Sequence, residues 1–101
     1  MRDNCAPTAG ISRLARRVIH FALKDLGNGS GEVQEKVMVW VHSDDFNMMC
    51  EVAGWEMEWV EDVFMRVDDI SGPARSSIAN QCTDMMKRLT MEVANIEQRN
   101  R

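Results

Sequence analysis

Apolar residues recur along most of this chain at intervals of three and four, the spacing of helices that bury one face. Between Ile11 and Leu26 they fall at Ile11, Leu14, Ala15, Val18, Ile19, Ala22, Leu23 and Leu26. This predicts a first helix with Arg13, Arg17, His20 and Lys24 on its outer face. Gly27-Asn28-Gly29-Ser30-Gly31 follows, and its tolerance of positive φ predicts a flexible loop. From Glu32 to His42 the positions of Val33, Val37, Trp40 and Val41 suit a second helix. The β-branched run Val37-Met38-Val39-Trp40-Val41 leaves a short strand as the alternative.

Ser43 can cap a third helix, Asp44 to Ala53, because its hydroxyl accepts from a free N–H while Asp44 and Asp45 place negative charge at the positive end of the dipole. Gly54 interrupts, Trp55 follows, and Met57, Val60, Val63, Phe64 and Val67 mark the buried side of a fourth helix; Glu58, Glu61, Asp62 and Arg66 mark its other side. Asp68 to Gly72 reads as a turn. Pro73 suits the first position of a fifth helix, whose stripe is Ile78, Cys82, Met85, Leu89, Val93 and Ile96. Some 25 residues of helix extend roughly 37 Å, longer than the rest of the chain can cover. Two outcomes follow from that length, a homodimer through this helix or a frayed end beyond about Leu89. The expected fold is all-α: a single domain over residues 1–101, a bundle of about five helices with a long C-terminal one, loose over 1–8 and frayed over 97–101.

Composition agrees with one soluble domain of 101 residues, 45% apolar and 28% charged. No run approaches the roughly 18 apolar residues of a membrane span, and the polar start Met1-Arg2-Asp3-Asn4-Cys5 offers no signal peptide. A cytoplasmic setting, that of a bacterial host on the resemblance given below, is expected. Cys5, Cys50 and Cys82 are odd in number and widely spaced, so they read as reduced thiols. No metal site or cofactor is expected, since His20 and His42 lack companions at ligand spacing and the acids form no calcium loop. Catalysis is not expected either: the candidates are Cys50 near His42 or the acidic cluster, and a helical cysteine at a packing position is ordinarily inert.

Charge is unevenly placed. Residues 44–69 hold nine acids against Arg66 alone, a local charge of −8 in a chain of net charge −4. Phe46, Cys50, Gly54, Trp55, Val60 and Val63 fit a helix-turn-helix frame, with a small residue at the crossing, glycine at the turn and apolar anchors beyond it. In that frame the second helix points Glu56, Met57, Glu58, Glu61, Asp62 and Met65 outward, carboxylates where DNA phosphates would repel them.

Trp40-Val41-His42-Ser43-Asp44-Asp45-Phe46 and Cys50-Glu51-Val52-Ala53-Gly54-Trp55 resemble a segment shared by small bacteriophage- and prophage-encoded helical proteins: a Trp, then Ser-x-Asp-Phe, then Cys-x-x-Ala-Gly, then a second short helix. The resemblance spans Trp40 to Val67 and implies a mobile-element origin and a non-enzymatic accessory role. Those proteins carry basic residues after the turn, so Glu58, Glu61 and Asp62 are a departure that weighs against DNA reading by this helix.

Two functional expectations result. The first is a protein partner, a basic surface of a host nucleic-acid-handling protein, engaged as inhibitor or adaptor by Glu56, Glu58, Glu61, Asp62 and Met65. The alternative is a DNA-binding regulator whose phosphate contacts come from Arg13, Arg17, Lys24, Lys87 and Arg88. A virion component is compatible with the long helix as well.

Overall fold

The computed structural model describes the backbone from Arg2 to Arg99 and the side chains of residues 10–90. Five helices follow in order: α1 (Arg2–Asn28), α2 (Gly31–Val41), α3 (Asp44–Ala53), α4 (Met57–Asp68) and α5 (Ala74–Arg99). The all-α bundle expected from the apolar spacing is what forms. No described helix is both long and apolar enough to cross a membrane. The expectations of looseness at 1–8 and fraying at 97–101 concern side chains outside the described residues, as do Cys5, Val93 and Ile96.

Ile19, Leu23, Leu26, Val41, Phe46, Cys50, Val60, Phe64, Val67 and Met86 are completely or almost completely buried and make one core. Its centre is aromatic. Phe46 of α3 meets Trp40 of α2 edge-on at 5.1 Å and Phe64 of α4 at 5.6 Å, the T-shaped arrangement that the ring quadrupole favours. The ambiguous run Val37 to Val41 is helix: Trp40 lies against Phe46 and Phe64 while its neighbour Val41 is buried in the same core, whereas consecutive strand residues would face opposite sides. Ser30 caps α2, accepting from the Val33 N–H at 3.4 Å, and Ser43 caps α3, accepting from the Phe46 N–H.

Three expectations are corrected. The glycine-rich segment after Leu26 is not a loop using positive φ; α1 continues through it to Asn28, and among described glycines only Gly54 and Gly72 have positive φ. Gly27 is needed for another reason. A Cβ there would lie 2.5 Å from the Ala79 Cβ of α5 and 3.2 Å from the Arg75 carbonyl oxygen, so α1 and α5 touch backbone to backbone at this point. Arg75 fixes the contact by donating from Nε to the Leu26 carbonyl (2.9 Å) and from Nη2 to the Gly29 carbonyl (3.1 Å), satisfying acceptors that a helix end leaves free.

The close approach also displaces the expected stripe of α5. Ala79, Thr83 and Met86 face the core, while Ile78 and Cys82 are half-buried and Met85 and Leu89 exposed. Small residues are selected where helices touch, and the Thr83 hydroxyl stays satisfied by donating to the Ala79 carbonyl of its own helix at 2.9 Å. Finally, the apolar arc of α1 is wider than the surface the other helices cover: Ala15, Ile19, Leu23 and Leu26 are buried, whereas Ile11, Leu14 and Val18 are exposed.

Candidate functional site: a cationic cleft between two helices

The turn after α3 sets the geometry of everything near the site. Gly54 adopts φ 78°; its N–H donates to the Glu51 carbonyl (3.1 Å) and the Trp55 N–H to the Cys50 carbonyl (3.0 Å), the paired bonds of a Schellman ending. A Cβ at Gly54 would find only Arg16 Nη2 at 3.6 Å, so the glycine is required by its left-handed backbone and not by space. The chain then turns Trp55 back toward α1. There Arg16 donates from Nε to the Ala53 carbonyl at 2.8 Å and lays its guanidinium 5.8 Å from the Trp55 ring, a cation over an aromatic face.

Trp55 is the floor of a cleft of about 480 Å3 between α1 and the middle of α5. Its indole Nε1–H donates to Thr90 Oγ1 of α5 (3.3 Å), and the Thr90 hydroxyl in turn donates to the Met86 carbonyl (2.9 Å). Trp59 braces the indole edge-on at 6.1 Å. Around this floor stand Arg13, Arg16, Arg17 and Lys24 from α1 and Lys87 from α5, with Phe21 at the rim. Among the described residues no carboxylate lines the cleft. Among the described residues Arg13, Arg17, Lys24 and Lys87 make no salt bridge. Five like charges held together in this way repel one another, a cost that an anion in the cleft would remove.

His20 was expected on the outer face of the first helix; it instead lines this cleft, half-buried, with its ring 5.4 Å from Trp55. Its Nε2 is buried and has no hydrogen-bond partner. Burial, reinforced by Lys87, Lys24 and Arg16, pushes the imidazole down to about 4, so the ring is neutral at physiological pH. The helical period explains the difference, since position 20 lies between the exposed side chains of Arg13 and Lys24 and the buried one of Leu23.

The structure therefore brings together Arg13, Arg17, Lys24 and Lys87 of the alternative contact set and leaves Arg88 exposed outside the cleft. Sequence reasoning missed Arg16, Phe21 and Trp55. Arg16 stands three residues after Arg13 and four before His20, a spacing that could have pointed to it; nothing in the sequence announces that Trp55 and Thr90 meet.

The acidic face of α4 is arranged differently. Glu56, Glu58, Asp62 and Met65 are exposed, Met57 is half-buried against the core and not outward, and Glu61 is half-buried with Oε2 3.6 Å from His42 Nδ1. Asp62 accepts from Arg66 Nε at 2.8 Å one turn away on the same helix. Beside it a shallow depression runs from Glu51 to Glu58 and shares Trp55 with the cationic cleft. The helix-turn-helix frame is filled as its residue types require, with Phe46, Cys50 and Val60 fully buried and Val63 nearly so.

Cys50 is buried and free, and burial raises its thiol to about 11, while Cys82, half-buried, is raised for the same reason. That is the opposite of an activated thiolate. Among the described residues no three histidine, cysteine or acidic side chains converge as a metal ion would require. Comparison with protein-family models, curated proteins and solved structures returned no match, leaving the geometry of the two faces to carry the functional reading.

Proposed function

We propose that this protein is a non-enzymatic, phage-type accessory protein that binds nucleic acid by its sugar-phosphate backbone in the cleft between α1 and α5. One observation carries the reading. A chain of net charge −4 places five of its 12 lysines and arginines around a single concave site whose described lining includes no acid. Phosphate binding needs cations at the surface with displaceable counterions, and it needs them close together. Arg13 and Arg17, one turn apart, present charges at a rise of about 6 Å. Glu56 and Glu58 line a different depression, which meets the cleft only at Trp55, so the second helix of the helix-turn-helix unit is not the reading element. From sequence the acidic face ranked first; the gathering of cations on an aromatic floor reverses that order.

The test is oligonucleotide binding by fluorescence anisotropy across a salt series. Affinity should fall steeply with ionic strength, and Arg13→Gln with Arg17→Gln should flatten the log–log slope by roughly 1.4 for a single strand or 1.8 for a duplex. Absence of binding at about 50 mM salt removes the reading.

The exposure of Glu56, Glu58, Asp62 and Met65, with Met65 47% accessible, favours a second reading. In it a basic protein surface docks on α4, carboxylates steering the encounter and methionine contributing burial. Lysine at Glu58 and Asp62 should then abolish capture of a purified basic partner domain, and unchanged capture counts against it. Self-association along α5 through the exposed Met85 and Leu89 belongs with either reading; a light-scattering mass of one chain at micromolar concentration would exclude it.

A further inference from the structure

Phe21 is not part of the hydrophobic core. It is 61% exposed, among the most exposed large apolar side chains described, and it stands on the rim of the cationic cleft. On α1 it follows Arg17 by four residues and precedes Lys24 by three, so both cations flank it on the same helix face. Trp55 cannot serve as an open platform in the same way, because Arg16 lies over its ring, Trp59 braces it and its N–H is committed to Thr90. The cleft thus pairs a cationic wall with one free aromatic ring at its mouth.

Duplex DNA keeps its bases stacked on each other and offers a phosphate surface no use for an exposed phenyl ring. A single strand exposes base faces beside its phosphates. Proteins that hold single strands combine these two features, a positive groove for the backbone and aromatic side chains for the bases. The size agrees: about 480 Å3 is the scale of a small-ligand cleft, suited to a nucleotide and its neighbours, not to the width of a double helix.

Resting on the nucleic-acid reading above, we infer that the cleft takes single-stranded nucleic acid, with Arg17 and Lys24 on successive phosphates and an unpaired base stacked on Phe21. The specificity is for strandedness, because every base has a face to stack on the ring.

The experiment compares three labelled probes of about twenty nucleotides, oligo-dT, a duplex and an abasic strand of the same length, against the full chain and two variants. Oligo-dT should bind at least roughly fivefold more tightly than the abasic strand. Phe21→Ala should reduce oligo-dT affinity to that of the abasic strand while leaving abasic binding unchanged. Phe21→Trp should restore or exceed the original affinity for oligo-dT. Because Phe21 is exposed, both variants should keep the parent helix content by circular dichroism. If the duplex or the abasic strand binds as well as oligo-dT and Phe21→Ala changes nothing, the stacking inference is overturned while the phosphate-binding function stands. If none of the three probes binds at low salt, both fall. If Phe21→Ala weakens all three probes equally, the ring supports the cleft wall and does not contact a base, and the inference is again overturned.

Discussion

The cleft between α1 and α5 and the hairpin of α3 and α4 both concentrate charge of one sign, yet they are built in opposite ways. In the hairpin the acids project singly from exposed or half-buried positions along α4 and its N-cap, and two of them have partners, Asp62 with Arg66 and Glu61 with His42. In the cleft the cations come from two helices far apart in sequence and meet over an aromatic floor. A solvated helix face explains the first without any ligand, because charges on exposed positions are ordinary. It does not explain the second, where folding moves like charges together. Convergence across elements separates a site from a surface here, and the number of charges does not.

The largest effect that could break this contrast is charge reversal. Arg17→Glu with Lys24→Glu should weaken oligonucleotide binding by roughly 100-fold or more near 50 mM salt, whereas Glu58→Lys with Asp62→Lys should leave it equal or tighter. Comparable losses from both pairs, read by anisotropy, would mean that the two faces act as one surface.

Next come the glycines that hold each region in place. Gly27→Val must push α5 off α1, since even the first added carbon meets Ala79 at 2.5 Å. It should cost about 1–3 kcal/mol, lower Tm by roughly 10 °C and weaken nucleic-acid binding with it, because Lys87 moves away from Arg13 and Arg17. Gly54→Ala should cost about 1–2 kcal/mol through its left-handed backbone alone, with a smaller change in cleft affinity. Calorimetry and anisotropy on both variants sharpen the comparison, and equal losses of binding at equal destabilisation would blur it.

Proton linkage should distinguish the regions more gently. His20 is held at about 4 by burial and nearby cations, so the unfolded chain takes up a proton that the folded chain resists. The contribution is fully present above pH 6.5 and is lost as pH falls toward 4. The slope is bounded by about 1.4 kcal/mol per pH unit and lies below that bound because the ring is only half-buried and solvent screens it. A bound polyanion offsets the smaller contribution of Lys87, Lys24 and Arg16 but not that of burial, so affinity should increase modestly as pH falls toward 4. His20→Gln should abolish both trends in urea titrations and binding curves. Smallest of all is the surface pair on α4: Asp62→Asn should change stability by under about 0.5 kcal/mol.

Much of the fold was legible because it depends on local rules. The caps at Ser43 and Gly54 and the buried set Phe46, Cys50, Val60 and Val63 follow from residue type and spacing alone. What the sequence concealed depends on who packs against whom. The run Val37 to Val41 is compatible with strand until Phe46 and Phe64 are placed beside it. The stripe of α5 reads through its larger residues, Ile78, Cys82, Met85 and Leu89, while the surface that meets α1 is chosen by smallness and runs through Ala79 and Thr83. The cations of α1 were visible as a stripe, but their meeting with Lys87 over Trp55 rests on the backbone contact at Gly27, which looks from sequence like an ordinary loop glycine.

Trp55 has a practical consequence. It borders both depressions, with its ring against Arg16 and His20 and its N–H on Thr90, so its excited-state dipole samples the field of either face. With Trp40 and Trp59 replaced by phenylalanine it becomes a single emitter at the seam, whose wavelength and quenching register which side of the molecule has been occupied without any added label.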